Sequence, residues 1–464
     1  EISCWNTAGI TDMSYAFEDN SFNAPLECWN VGQVTSMLGV FNGATSFDQH
    51  IDSWDVSQVE TMESMFYGYR RVTFSFNKPI DSWNVSQVKS MGGMFYQADS
   101  FNQPIGSWNV SQVTSMNSMF DNAESFDQHI DSWDVSQVET MESMFKGAFA
   151  SCVTLLFNKP IDSWNVSQVK SMEGMFFEAE SFNQPIGSWN VSQVTSMNSM
   201  FDNAVIFNQP IDSWDVSQVE NMGEIFRDAK AFNLPIDSWN VSKVTDMVFM
   251  FYAADLFNQS IDTWNVSQVK DMQRMFNRAP SFNQSIDSWD VSQVTGMFDM
   301  FAGATSFDQP IDSWDVSQVE DMGGMFLGAT SFKQPIDSWD VSQVEFMGFM
   351  FSNAKKFNHP IDSWNVSQVK NMRRMFEDAK AFKQPIDSWD VSQVENMFEM
   401  FDGASKFNHP IDSWDVSQVR DMTRMFRDAK AFKQPIDSWD VSQVENMYEM
   451  LHGALSFNQC LSTW

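Results

Sequence analysis

The sequence is poor in the residues that most often carry chemistry. Among 464 residues there are 4 Cys, 5 His and 6 Tyr, and 27 Lys+Arg stand against 61 Asp+Glu. The histidines, His50, His129, His359, His409 and His452, are dispersed, with no Cys or Ser partner at catalytic spacing. Four of them, His50, His129, His359 and His409, take the Gln or next position of a recurring Phe-x-Gln-Pro segment, which reads as a variable surface position. There is no glycine-rich phosphate loop and no zinc-type Cys pair. The chain therefore reads as non-enzymatic and calls for no cofactor. The shortage of basic residues leaves a formal charge of −34. Duplex DNA and anionic membranes repel such a polyanion, whereas cations and basic surfaces suit it. No apolar run approaches the roughly 18 residues that cross a bilayer. The sequence starts at Glu1 with no initiator Met or signal-like segment, as a processed product or a partial chain would.

Aromatic and sulfur side chains fill the space these absences leave: 43 Phe, 33 Met and 19 Trp. An aromatic share of 15% excludes a disordered acidic tail, which lacks apolar surface to bury. The tryptophans fall at 5, 29, 54, 83, 108, 133 and 164, then every 25 residues to 464. A fixed period of this size marks a solenoid and replaces a domain count based on length. The unit reads W-[DN]-V-S-Q-V-x-x-M-x-x-M-F-x-x-A-x-x-F-x-Q-P-I-D-S. The 19 tryptophans bound 18 intervals, so the expected fold is one α/β solenoid over 1–464, built of about 18 stacked rungs. Residues 1–29 form its N-terminal capping rung, and insertions near 67–75 and 146–156 interrupt its period.

Each rung is expected to hold a short helix and a short parallel strand. Asp or Asn follows every tryptophan that opens a unit, with Gln three residues on in most copies, which is an N-capping arrangement. In the rung led by Trp214, Val219, Met222, Phe226 and Ala229 recur at steps of 3, 4 and 3, the stripe of a short helix. Pro235 lacks an N–H, so the strand is placed after it, near Ile236 to Trp239. Charge supports the stacking. Lys370, Glu395, Arg420 and Glu445 alternate in sign six residues after successive tryptophans, and Arg374, Glu399, Arg424 and Glu449 do so ten residues after. Residues 47–66 recur unchanged as 126–145, and 379–397 as 429–447, so whole rungs have been copied.

With Trp, Val, paired Met, Phe and Ala in register, the unit resembles the 25-residue repeat of BspA-like leucine-rich-repeat surface proteins. That family is common in mycoplasma lipoproteins and occurs in protists and algae. The resemblance covers essentially residues 2–464. It implies a leucine-rich-repeat-like solenoid outside the cell, in adhesion or surface structure, and no catalytic residue.

Several positions are candidate sites. The Trp and Met ladders could form a ligand face, but recurrence at interior positions in every rung reads as stacked core. Asn84, Asn109, Asn165, Asn190, Asn240, Asn265 and Asn365 open Asn-Val-Ser sequons, and Asn258 and Asn283 open Asn-Gln-Ser. The first seven double as caps, which makes Asn258 and Asn283 the better glycan acceptors. A ladder of Asp two residues before Trp, including Asp212, Asp237, Asp262 and Asp287, either binds Ca²⁺ or forms a solvated, turn-capping edge. Cys4 and Cys28 each precede a Trp in adjacent rungs, within disulfide reach if stacked, whereas Cys152 and Cys460 are too many rungs apart to pair. The insertions carry Tyr69, Arg70, Arg71 and Phe74, and Phe149, Val153, Leu155 and Leu156, as candidate interaction loops or as tolerated slippage.

Two functions follow. One is an extracellular or cell-surface structural solenoid whose partners are further copies of itself, since the chain begins and ends at the same phase of the repeat and unclosed head-to-tail contacts give filaments. The other is an adhesion solenoid that binds a protein or glycan through one face or the insertion edge.

Overall fold

The computed structural model describes residues 5–69, 72–147, 154–462 and 464. It divides into two compact units, Glu1–Trp239 and Asn240–Trp464. Both are stacks of the same rung.

The rung led by Trp314, in the second unit, shows how the sequence builds it. Ile311 to Trp314 close a turn, with the Trp314 N–H donating to the Ile311 carbonyl at 3.3 Å. Asp315 then accepts the Ser317 N–H at 3.1 Å, and the Val319 N–H returns to Val316 at 3.0 Å. The Asp or Asn after each tryptophan thus caps an Asx turn, and no helix follows it. Asp321, seven residues after Trp314, makes single-residue parallel bridges to Gly296 and Phe346 of the flanking rungs.

From there the backbone donors alternate. The N–H groups of Met322, Gly324, Phe326 and Gly328 donate to the next rung, at Phe346, Gly348, Met350 and Ser352. Those of Met325, Leu327 and Ala329 donate three residues back within their own rung. The segment is therefore a run of overlapping turns clipped to its neighbour at every second residue. The first unit repeats the scheme. Met116, Ser118, Phe120 and Asn122 donate to Thr140, Glu142, Met144 and Lys146.

The expected helix and strand are corrected by this pattern. Among the described residues there is no α-helix and no strand longer than one bridge, and the bridge lies seven residues after Trp, not after the proline. Turns with i→i−3 hydrogen bonds reproduce the 3-4-3 apolar spacing of a helix. What breaks the helix is handedness. The residue ten after each opening tryptophan has positive φ in every rung, whether it is Gly39 (59°), Ser64 (52°), Phe249 (55°) or Arg274 (56°). Left-handed residues every few positions cannot continue a right-handed helix.

The interior is the expected core. In the Trp314 rung, Val319, Met322, Met325, Phe326, Ala329, Phe332 and Ile336 are fully buried, and Trp314 nearly so. Phe326 lies 4.1 Å from Phe332 and 5.7 Å from Phe351 of the next rung, ring centre to ring centre. The tryptophan indole N–H donates to the backbone one rung back, from Trp314 to the Ile286 carbonyl at 3.1 Å. An asparagine ladder closes the far side. The Asn102 N–H and the Gln103 amide both donate to Oδ1 of Asn77, at 3.0 and 2.9 Å. In both ladders the buried polar groups are satisfied by counterparts in the adjacent rung, as a dry core requires.

Candidate functional site

The bridge-and-turn run is one of the places where the rungs differ. Positions seven, nine, ten and thirteen after each tryptophan vary from rung to rung, with Ser, Thr, Gly and Asn frequent and Asp, Glu, Arg, Phe and Tyr among the larger side chains, while the Trp-Asx-Val-Ser-Gln-Val run hardly changes. Side chains at these positions are half-buried at most sites, because the turns carry them outward over the neighbouring rung.

In the second unit they interleave arginines with aromatic rings. The Arg274 guanidinium lies 5.3 Å from the Phe249 ring centre and 5.1 Å from that of Phe298, in the rungs on either side. Arg374 repeats this between Phe349 and Phe398, at 5.6 and 5.3 Å, and Arg373 covers Phe349 at 4.7 Å. Guanidinium-over-ring contacts of this kind contribute about 0.5–2 kcal/mol each. Acids complete the rows. Buried Glu399 is shared by Arg374 at 2.6 Å and Arg424 at 3.2 Å, and Arg424 reaches Glu449 at 2.8 Å. The sign alternation in the sequence therefore marks true neighbours, although turns and not helices carry it. Its aromatic half was missed. The signal was Phe249, Arg274 and Phe298 at nearly the same phase of successive units.

Glu377, Glu399 and Asp402 bring carboxylate oxygens within 4.8 Å of one another. Burial raises the proton affinity of Glu377 and Asp402, opposed by the Ser352 hydroxyl and by Arg427 respectively. This trio is the place where a cation would find ligands, but Arg374, Arg424 and Arg427 already neutralise it. The first unit holds a smaller knot. Buried Asp202 is pushed up to about 8, chiefly by desolvation. Arg227 pulls the other way from 3.4 Å, but its guanidinium is held more closely by Glu224 at 2.7 Å, so the upward direction prevails.

The insertion edge of the first unit is mixed. Tyr69 is exposed, and a hydrogen bond with Asp19 pushes its phenol up to about 12. Val72 and Leu156 are exposed, whereas Phe74 and Leu155 are fully buried and belong to the core. Arg70, Arg71, Phe149 and Val153 lie outside the described residues.

The sequons sit opposite to expectation. Asn84, Asn109, Asn165, Asn190, Asn240, Asn265 and Asn365 are exposed, each side-chain oxygen accepting the N–H two residues on. Asn258 and Asn283 are half-buried in the asparagine ladder, their Oδ1 atoms accepting from Asn283 N–H and Asp308 N–H at 2.9 Å each. Asp212, Asp237, Asp262 and Asp287 are exposed or half-buried on the turn before each tryptophan, and no three-carboxylate group among the described residues includes them. Serine hydroxyls of following rungs reach Asp212 and Asp287 at 2.7 and 2.8 Å. Cys28 is exposed, and its expected partner Cys4 lies outside the described residues. No helix among the described residues is long and apolar enough to cross a membrane.

These rungs define a leucine-rich-repeat-type solenoid. The chain belongs to the family described as a Mycoplasma protein of unknown function, DUF285, whose profile matches residues 1–74, 71–155, 148–262, 224–326, 250–363, 295–408 and 381–464. No curated protein matches significantly. Among solved structures, a leucine-rich repeat protein from Bacteroides ovatus is 12% identical over 76% of this chain and 78% of its own, with a TM-score of 0.33. One from Eubacterium ventriosum is 11% identical over 64% and 82%, with a TM-score of 0.33. A leucine rich cell surface protein from Faecalibacterium prausnitzii is 14% identical over 80% and 82%, with a TM-score of 0.31.

Proposed function

We propose that the chain is a non-enzymatic recognition solenoid, displayed at or beyond the cell surface, that binds a protein partner through its bridge face. The observation that carries this is the make-up of the bridge face. The core ladders and the Asx turns repeat almost without change, while the bridge face alternates arginine, aromatic and acidic side chains. Arginine and aromatic residues are the side chains from which interface hot spots are most often made. A purely structural role leaves that alternation without a purpose beyond rung register, and acids and lysines alone would supply register. Adhesion is one of the two roles that the family resemblance implies, beside surface structure.

The test uses the full chain, fluorescently labelled, on intact cells. Saturable binding is expected, reduced at least about tenfold by a Phe298→Ser, Arg373→Ser, Phe398→Ser variant, since three hot-spot contacts are worth more than 1.4 kcal/mol together. Wild-type melting of that variant would show that its fold is kept. Saturable binding that the variant leaves unchanged would sink the bridge-face reading.

A further inference from the structure

The lysines of the second unit are segregated. Sixteen to nineteen residues after the tryptophan, on the edge that leaves the turn run, five consecutive rungs carry Lys333, then Lys355 and Lys356, Lys380 and Lys383, Lys406, and Lys430 with Lys433. All eight are exposed, and no acidic residue occupies these positions in these rungs. Lys333 is paired with Asp308 and Lys380 with Asp378, while the other six make no ion pair among the described residues. In the first unit the same edge is mostly acidic, with Asp48, Asp99, Glu124, Asp127 and Glu180 against a single exposed lysine, Lys230. There Lys78 and Lys159 are tied to Asp48 and Asp127 at 2.7 and 2.5 Å.

A row of eight ammonium groups, two of them paired with carboxylates, on a chain of net charge −34 is a local reversal of the field. Over distances beyond about 8–10 Å the remaining negative charge is screened at physiological salt, so a ligand lying along the row meets mainly lysine. Shape selects the ligand. The row follows the stacking axis at about 4.8 Å per rung, so five rungs extend it to about 20 Å. It is also narrow. Four residues beyond it on the same rungs stand exposed Asp337, Asp362, Asp387 and Asp412. A bilayer or a duplex laid on this edge would press its own phosphates against those carboxylates. A single thin strand would not.

We propose that this edge binds an extended anionic polysaccharide, sulfated or uronate-bearing, lying along the stack across five rungs. The row is separate from the bridge face, and its test needs no partner for that face.

The probes are heparin-derived oligosaccharides for the sulfate arm and oligogalacturonate for the carboxylate arm, titrated calorimetrically into the full chain. Binding to the sulfated probe, or to both probes, is expected, weakening steeply as salt rises because the lysines displace counterions. A variant with Lys355, Lys356, Lys380, Lys406 and Lys430 all changed to Gln should bind at least about tenfold more weakly, by the same counterion argument. Lys89→Gln with Lys170→Gln, on exposed sites of the first unit, should bind as the native chain does. Since every substituted lysine is exposed, both variants should melt with the native protein. Four results would overturn the proposal. They are no binding to either probe at low salt, binding undiminished in the five-lysine variant, equal lysine-dependent binding to duplex DNA or phosphatidylserine vesicles, and a salt-sensitive dimer lost in that variant, which would make a second copy the occupant.

Discussion

At the residue scale, the recurring Trp and Asn side chains each serve two rungs, their own and a neighbour. Trp314 fills the core, and its indole N–H satisfies the Ile286 carbonyl of the preceding rung. Asn77 likewise accepts both the Asn102 N–H and the Gln103 amide. Among the variable positions, Asp202 is a buried carboxylate whose neighbours do not fully compensate its desolvation. Its folded value, raised to about 8, lies above its ordinary 3.8. The folded state therefore prefers the proton, and the stability this gives is full below about pH 4 and lost as pH rises through 8. Asp202→Asn should flatten that decline and melt above the native chain near pH 8. Melting temperatures measured from pH 4 to 8 check this, and a variant that melts below the native chain at pH 8 would contradict it.

At the scale of the element, the turn run decides the fold. Its 3-4-3 apolar spacing was visible in the sequence, as were the caps and the period, and the resulting core was placed correctly. The backbone state was not visible. Positive φ falls on Ser118, Phe249, Arg274 and Glu399 as readily as on Gly39, so no glycine signature announces the left-handed turns. Inter-rung hydrogen bonds then take the N–H groups that an i→i−4 helix would need. A local pattern shared by turns and helix was settled by long-range pairing. The cost of the left-handed conformation gives a direct test. Ser118 has φ 52°, and an L-residue there is strained by about 1 kcal/mol. Ser118→Gly should raise stability by about that amount in denaturant unfolding, and a loss of stability would show that the Ser118 side chain or a different backbone state governs the turn.

At the scale of the whole molecule, duplication explains both the regularity and its exceptions. Copying a rung copies its core, caps and ladders, so the interior stays uniform while outward positions diverge. The candidate sites were legible only where they depended on charge sign. Alternation at Arg374, Glu399, Arg424 and Glu449 named real neighbours, but the rings of Phe349 and Phe398 around Arg374 emerged only from stacking. Asn258 and Asn283 were preferred as glycan acceptors because they lie outside the cap, yet they are half-buried ladder residues while the seven capping asparagines are exposed. All of these statements rest on rungs made of turns clipped by single bridges. Far-UV circular dichroism of the purified chain tests that most directly. A spectrum of turns and β-bridges with no helical component is expected, and a clear helical component would restore the helix-and-strand rung and remove the bridge face described here.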